Sequence, residues 1–271
     1  MTGVAGERDS QQIWRSEFLP ANAHLSSTAA ANSAADVDNL ALEKPLEPST
    51  RKVVTRSPAR TVRIINLRGV LPAPVEAESS LERDFILRAA LNPFVTAIVH
   101  QPFRLRLERE RTYTPDFLVT LTTGERVVVE VKPRRKVETY KSLLDDAAAH
   151  LRAHGYEFMV ADDTAIRRER AHARAARILR YAKTAFGRAD CDRAVRAASQ
   201  RPHGIPIGTL RKQARVTRET VFHLISLKQL STGRRLMLDD AAIAFTPIQQ
   251  EIHDAVQFAS WFDAALWPEN A

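Results

Sequence analysis

Residues 113–132 read YTPDFLVTLTTGERVVVEVK. Two runs, TPDFLVTL and ERVVVEVK, flank Thr122-Thr123-Gly124, and β-branched and aromatic residues around such a tripeptide predict an antiparallel hairpin. The second run is almost continuously apolar through Val127, Val128, Val129 and Val131, as a buried strand is. Glu130 and Lys132 interrupt it, and charges in a buried strand need a partner or a purpose. Side chains alternate along a strand, so these two share one side. Asp116, after Pro115, lies on the hairpin partner, where its carboxylate can converge on Glu130.

Working outward, SSLERDFILRAALN (79–92) places Leu81, Phe85, Ile86 and Ala89 on one helical face, with Ser79 or Ser80 as cap. FVTAIVHQP reads as a buried strand and RLRLERE as an alternating one. After the hairpin, VETYKSLLDDAAAHLRAHG predicts an amphipathic helix stopped by Gly155, and YEFMVAD a short strand. Helix, meander, helix and strand give an α/β mixed sheet with flanking helices. Further on, AIRRERAHARAARILRYAKTAF predicts a long helix and DCDRAVRAASQ a shorter one. TLRKQARVTRETVFHLISLKQL then splits at Val216-Thr217, with Val221, Phe222, Leu224 and Ile225 facing inward. A hairpin is expected over STGRRLMLDDAAIAFTP. That order describes a mostly α, winged-helix-like C-terminal domain whose recognition helix begins at Arg218.

Charge is sorted along the 271 residues. The formal total is +8, from 40 Lys and Arg against 32 Asp and Glu. Residues 1–50 hold 3 basic and 7 acidic side chains and no sustained period, the pattern of a disordered tail. Residues 51–78 begin with a basic arm, six Lys or Arg and no acid over 51–68. The predicted sheet domain, 79–163, is near balance, with 13 of each sign over 81–163. Residues 164–237, within the expected DNA-binding domain at 164–247, carry 18 basic against 4 acidic side chains, which points to a polyanion such as double-stranded DNA. Arg218, Thr220 and His223 on the recognition helix and Arg234 and Arg235 in the wing are expected to reach phosphates or base edges. Arg134, Arg135 and Lys136 follow the ExK strand and are placed to grip the backbone there. Residues 248–271 are expected to form an acidic amphipathic helix that packs on its own domain or docks a basic partner.

One cysteine, Cys191, allows no internal disulfide and no cysteine zinc cluster. No histidines stand at metal-ligand spacing, and His150, His154 and His172 read as helix-surface residues. No apolar run approaches the ~20 residues of a bilayer span, and the start of the chain has no targeting pattern. A soluble cytoplasmic protein is expected.

Two carboxylates meeting at a sheet end repel, and a divalent cation preferring hard oxygen relieves that repulsion. Mg²⁺, with Mn²⁺ able to substitute, is expected between Asp116, Glu130, the Val131 carbonyl and a phosphate. Lys132 would orient the attacking water or neutralise the transition state. Glu82, on the first helix, would reach the same cleft as ligand to a second ion or through water.

This arrangement resembles the PD-(D/E)xK nuclease core. ESSLERDFILRAALNPFVTAIVHQP, YTPDFLVT and GERVVVEVK together resemble, over about residues 55–163, the catalytic domain of TnsA, the endonuclease subunit of heteromeric transposases of bacterial Tn-type elements. The resemblance implies a Mg²⁺-dependent nuclease cutting the 5′ side of transposon ends, beside a DDE transposase, TnsB, and an ATPase, TnsC. Its catalytic set falls on Glu82, Asp116 and Lys132, with Glu130 where some relatives have Gln. Gln101 falls in the family's QP step. A stand-alone restriction, resolvase or repair nuclease, and a non-catalytic DNA-binding regulator, are the alternative readings.

Overall fold

A computed structural model describes residues 47–48, 62–107, 111–247 and 254–268. The tail expected at 1–50, most of the basic arm, and residues 248–253 and 269–271 of the acidic segment therefore lie outside the described residues.

The centre is a four-stranded mixed sheet in the order β4 (Val95–His100), β7 (Phe117–Leu121), β8 (Arg126–Lys132) and β9 (Glu157–Asp162). β7 and β8 are antiparallel, with Phe117 opposite Val129 and Thr120 opposite Arg126. The reversal between them needs a residue at positive φ, which Gly124 supplies at +86°. β8 and β9 are parallel and are joined through α3 (Lys141–Arg152). Two short ladders flank this sheet: β2 (Arg63–Ile65) with β3 (Val75–Ala77), and β1 (Glu47–Pro48), β5 (Phe103–Arg106) and β6 (Thr112–Tyr113). β5, expected within one meander, is thus paired outside the main sheet. β4, expected to be buried, is an edge strand with Val99 47% exposed.

The pleat sorts β8 between two cores. Val127, Val129 and Val131 face α1 (Ser80–Ala89), where Phe85 stacks on Phe117 at 5.2 Å. Val128 faces α3 through Leu144 and Leu151. Ser79 caps α1, its hydroxyl accepting the Glu82 N–H at 3.1 Å.

The long helix expected from residue 165 is broken. α4 (Asp163–Arg167) ends in a 3₁₀ turn with Glu169 and Arg170 at positive φ, and α5 (Ala171–Leu179) follows. Tertiary ties override helix propensity here. Arg167 donates to Asp84 and Ser80 on α1, and Arg174 donates to the Glu169 carbonyl across the turn.

α6 (Arg188–Ser199), α7 (Ile207–Ala214) and α8 (Arg218–Ser226) follow, and β10 (Ile205–Pro206) pairs antiparallel with β11 (Ile243–Ala244). Gly204 sits at φ +80°, and a side chain there would run into Ile243 and the Ala244 carbonyl, so this close pairing requires glycine. In place of the expected hairpin over 231–247 there is a single Ser231–Phe245 bridge. The residues between turn Leu236, Leu238 and Ala242 into the core, which a free two-stranded ribbon would expose.

One apolar core runs from Val75 through Phe222 to Phe262, across the 163/164 boundary. Its polar staple is Arg88, 1% exposed on α1. Its guanidinium donates to the carbonyls of Ala165, Ile166, Arg234 and Trp261 and lies 4.8 Å from the Phe262 ring centroid. The Trp261 indole N–H donates back to the Arg88 carbonyl, which fastens α9 (Ala255–Trp261) to α1. Burial lowers the Arg88 pKa to about 10, still a cation at neutral pH. Arg88→Met leaves these carbonyls without their donor, and a loss of about 3 kcal/mol is expected in urea unfolding.

Candidate active site

Pro115 delivers Asp116 to the start of β7. The Asp116 carbonyl accepts the Gln101 N–H at 2.8 Å, which ties it to the end of β4, and its carboxylate accepts the Val131 N–H at 2.8 Å. The second bond sets Asp116 against β8 at the step between Glu130 and Lys132. Glu130 is 4% exposed; it accepts the Tyr113 hydroxyl at 2.6 Å on one oxygen and pairs with the Lys132 ammonium on the other. The Lys132 side chain is 20% exposed, and its ammonium sits 4.6 Å from the Tyr140 ring centroid.

Burial pushes the Asp116 carboxyl well above the ordinary carboxylate range, and the Glu130 charge adds to this, against the opposing Val131 N–H. Burial alone would depress Lys132, but Glu130 and then Asp116 outweigh it and raise the ammonium above its usual value. Lys132 is therefore a fixed positive charge. Asp116 is a buried carboxyl whose charged form a nearby cation would favour.

Glu82 stands apart from this trio. Its carboxylate accepts the Glu78 N–H at 2.7 Å, in a reciprocal arrangement with the Ser79 cap, and lies 3.9 Å from His100 Nε2. Its charge still contributes to the raised Asp116 pKa. Among the described residues, no three His, Cys, Asp or Glu side chains assemble to hold a metal ion. The donors at hand are the Asp116 and Glu130 carboxylates, with Val131 next to Glu130 along β8. That all-oxygen, low-count set fits Mg²⁺ or Mn²⁺, which keep several waters, and does not fit zinc.

Arg134, Arg135 and Lys136 lie exposed on α2 (Arg134–Val137), directly after the site. Arg134 also pairs with Asp162 at 3.5 Å. Thr220 is a correction: it is 2% exposed in the core, because α8 buries Thr220, Val221, Phe222, Leu224, Ile225 and Ser226. A helix wrapped on so many sides leaves no outward polar strip at Thr220. Half-buried His223 hydrogen-bonds the Tyr181 carbonyl at 2.8 Å, Arg218 pairs with Asp240 at 2.8 Å, Arg234 with Asp263 at 3.1 Å and Arg235 with Glu169 at 3.8 Å. Sequence reasoning did not single out Tyr113 and Tyr140. Tyr113 sits three residues before Asp116, but its meeting with Glu130 depends on the β5–β6 pairing.

A mixed sheet whose hairpin joins Asp116 to an ExK strand, with helices on both faces, is compatible with the PD-(D/E)xK nuclease core. Residues 92–177 match the family model of the TnsA-like endonuclease N-terminal domain, and over this segment the chain is similar to that family. The match contains Asp116, Glu130 and Lys132, begins after Glu82, and ends within α5. No curated protein matches the sequence. No described helix is long and apolar enough to cross a membrane.

Proposed function

We propose that this protein is a Mg²⁺-dependent DNA endonuclease and the subunit of a heteromeric transposase that cuts the 5′ side of transposon ends. The observation carrying the chemistry is the seating of the Asp116 carboxylate on the Val131 N–H, beside the Glu130–Lys132 pair. A bound divalent ion would polarise the scissile phosphate and acidify the attacking water. Asp116 and Glu130 would hold it with the Val131 carbonyl, and Lys132 would neutralise charge gathering on the phosphoryl oxygens. Glu82 would act from α1 through water, or as ligand to a second ion after releasing the Glu78 N–H.

For the substrate, Arg134, Arg135 and Lys136 would grip phosphates beside the cut. Residues 164–247 would bind DNA as a winged-helix-like unit. The order α6, β10, α7, α8, Ser231 bridge and β11 supports that reading, with Arg218, Arg234 and Arg235 as contacts that exchange their acidic partners for phosphate. Its grip would come from this rim rather than from Thr220. The partners would be a TnsB-like DDE transposase and a TnsC-like ATPase, in the bacterial cytoplasm at the nucleoid.

The test is cleavage of end-labelled transposon-end DNA by the full chain together with a TnsB-like transposase and a TnsC-like ATPase. Nicks at the 5′ side that need Mg²⁺ or Mn²⁺ and vanish in EDTA are expected. Cleavage indifferent to EDTA would remove the metal-dependent reading.

A further inference from the structure

We infer that Tyr113 and Tyr140 are positioning residues that hold the Glu130–Lys132 pair from opposite ends, Tyr113 through a hydrogen bond to the carboxylate and Tyr140 through its ring against the ammonium; this rests on the nuclease reading above. The two tyrosines reach the pair from different elements. β6 lies outside the main sheet, yet its pairing of Tyr113 with Leu105 buries the phenol in the same core as Val128, on the face of β8 that bears Glu130. Tyr140 ends the 3₁₀ turn Glu138–Tyr140 that connects α2 to α3, and that turn brings the ring back beside Lys132.

The geometry divides the labour. The Tyr113 hydroxyl occupies one Glu130 oxygen at 2.6 Å, which fixes the carboxylate plane and leaves the other oxygen toward Lys132. A donor behind a metal-binding carboxylate orients the ligand, and its loss commonly weakens metal binding about 10- to 100-fold. Tyr140, 41% exposed, shields the ammonium from one side, and the face of its ring favours a cation there.

The experiment measures Mn²⁺ binding to the full chain by calorimetry without DNA, and single-turnover cleavage with the partner proteins. Tyr113→Phe removes only the hydroxyl and is expected to raise the Mn²⁺ dissociation constant about tenfold, with cleavage recovering at high Mn²⁺. Tyr140→Leu is expected to slow cleavage about tenfold without changing Mn²⁺ binding or DNA affinity, and Tyr140→Phe, which keeps the ring, to restore it. Wild-type Mn²⁺ affinity in Tyr113→Phe overturns the Tyr113 role. A Tyr140→Phe variant as slow as Tyr140→Leu, or a loss confined to DNA affinity, overturns that of Tyr140. A wild-type chain that binds Mn²⁺ but never cuts would remove the nuclease reading and leave the Tyr113 result standing, whereas one that binds no Mn²⁺ removes both.

Discussion

Asp116→Asn is expected to reduce DNA cleavage by about 10³-fold or more, while the metal-free protein becomes more stable at neutral pH. The activity loss follows from the donor set. With Glu82 drawn off to cap α1, the carboxylates of Asp116 and Glu130 are the side chains left to hold a cation, and an amide is a neutral, poorer ligand. The stability gain follows from the same burial. The Asp116 pKa is raised in the folded state, first by desolvation and then by the Glu130 charge. A raised carboxyl favours the native state below the ordinary carboxylate pKa of about 4, where it is neutral in both states. That contribution is lost as pH rises through the folded value. In EDTA the urea midpoint of the wild type should therefore fall as pH climbs from about 4, and the Asn variant should show a shallower slope. Adding Mg²⁺ should restore stability to the wild type alone. An Asn variant that cuts DNA at the wild-type rate would place the site elsewhere.

The parts of this site legible in the sequence are those governed by local periodicity. Strand alternation put Glu130 and Lys132 on one side of β8, and the ionic pair is the outcome. Ser79 as a cap and Gly124 as a turn follow from backbone needs that few residues meet. What stayed hidden depends on contacts distant in sequence. No glycine or proline marks the break at Glu169 and Arg170; the chain turns there because Arg167 is drawn to Asp84. Thr220 looks like a surface residue of a recognition helix until α5, α6 and α7 enclose α8. Arg88 reads as an ordinary polar position in an amphipathic helix, yet it fastens α1 to α4 and to the end of α9. The same long-range packing carries the core past residue 163, where composition alone suggested a boundary.

Lys132→Ala is expected to lower cleavage about 10²- to 10³-fold, the usual loss on removing one preorganised stabiliser of developing charge. The pH profile separates this role from proton abstraction. A lysine acting as base must first lose its proton, so its rate would climb with pH through a depressed pKa near 7 or 8. Here burial pulls the pKa down, but the Glu130 and Asp116 carboxylates push it up further, and the ammonium stays charged throughout that range. The wild-type rate should accordingly show no rising limb assignable to Lys132 between pH 7 and about 9. The linkage agrees in sign: a raised lysine pKa stabilises the fold fully below about 10.4 and loses that contribution only as pH passes the folded value. Lys132→Arg supplies the discriminating case, since it keeps the charge but replaces a compact ammonium with a planar fork. Between the Glu130 carboxylate and the Tyr140 ring, the larger group cannot take the same position, so Arg should recover less than about a tenth of the wild-type rate. Full recovery by Arg would mean that net charge alone suffices. A rate in the wild type that rises steeply between pH 7 and 9 and is flattened by Lys132→Ala would instead make Lys132 the base.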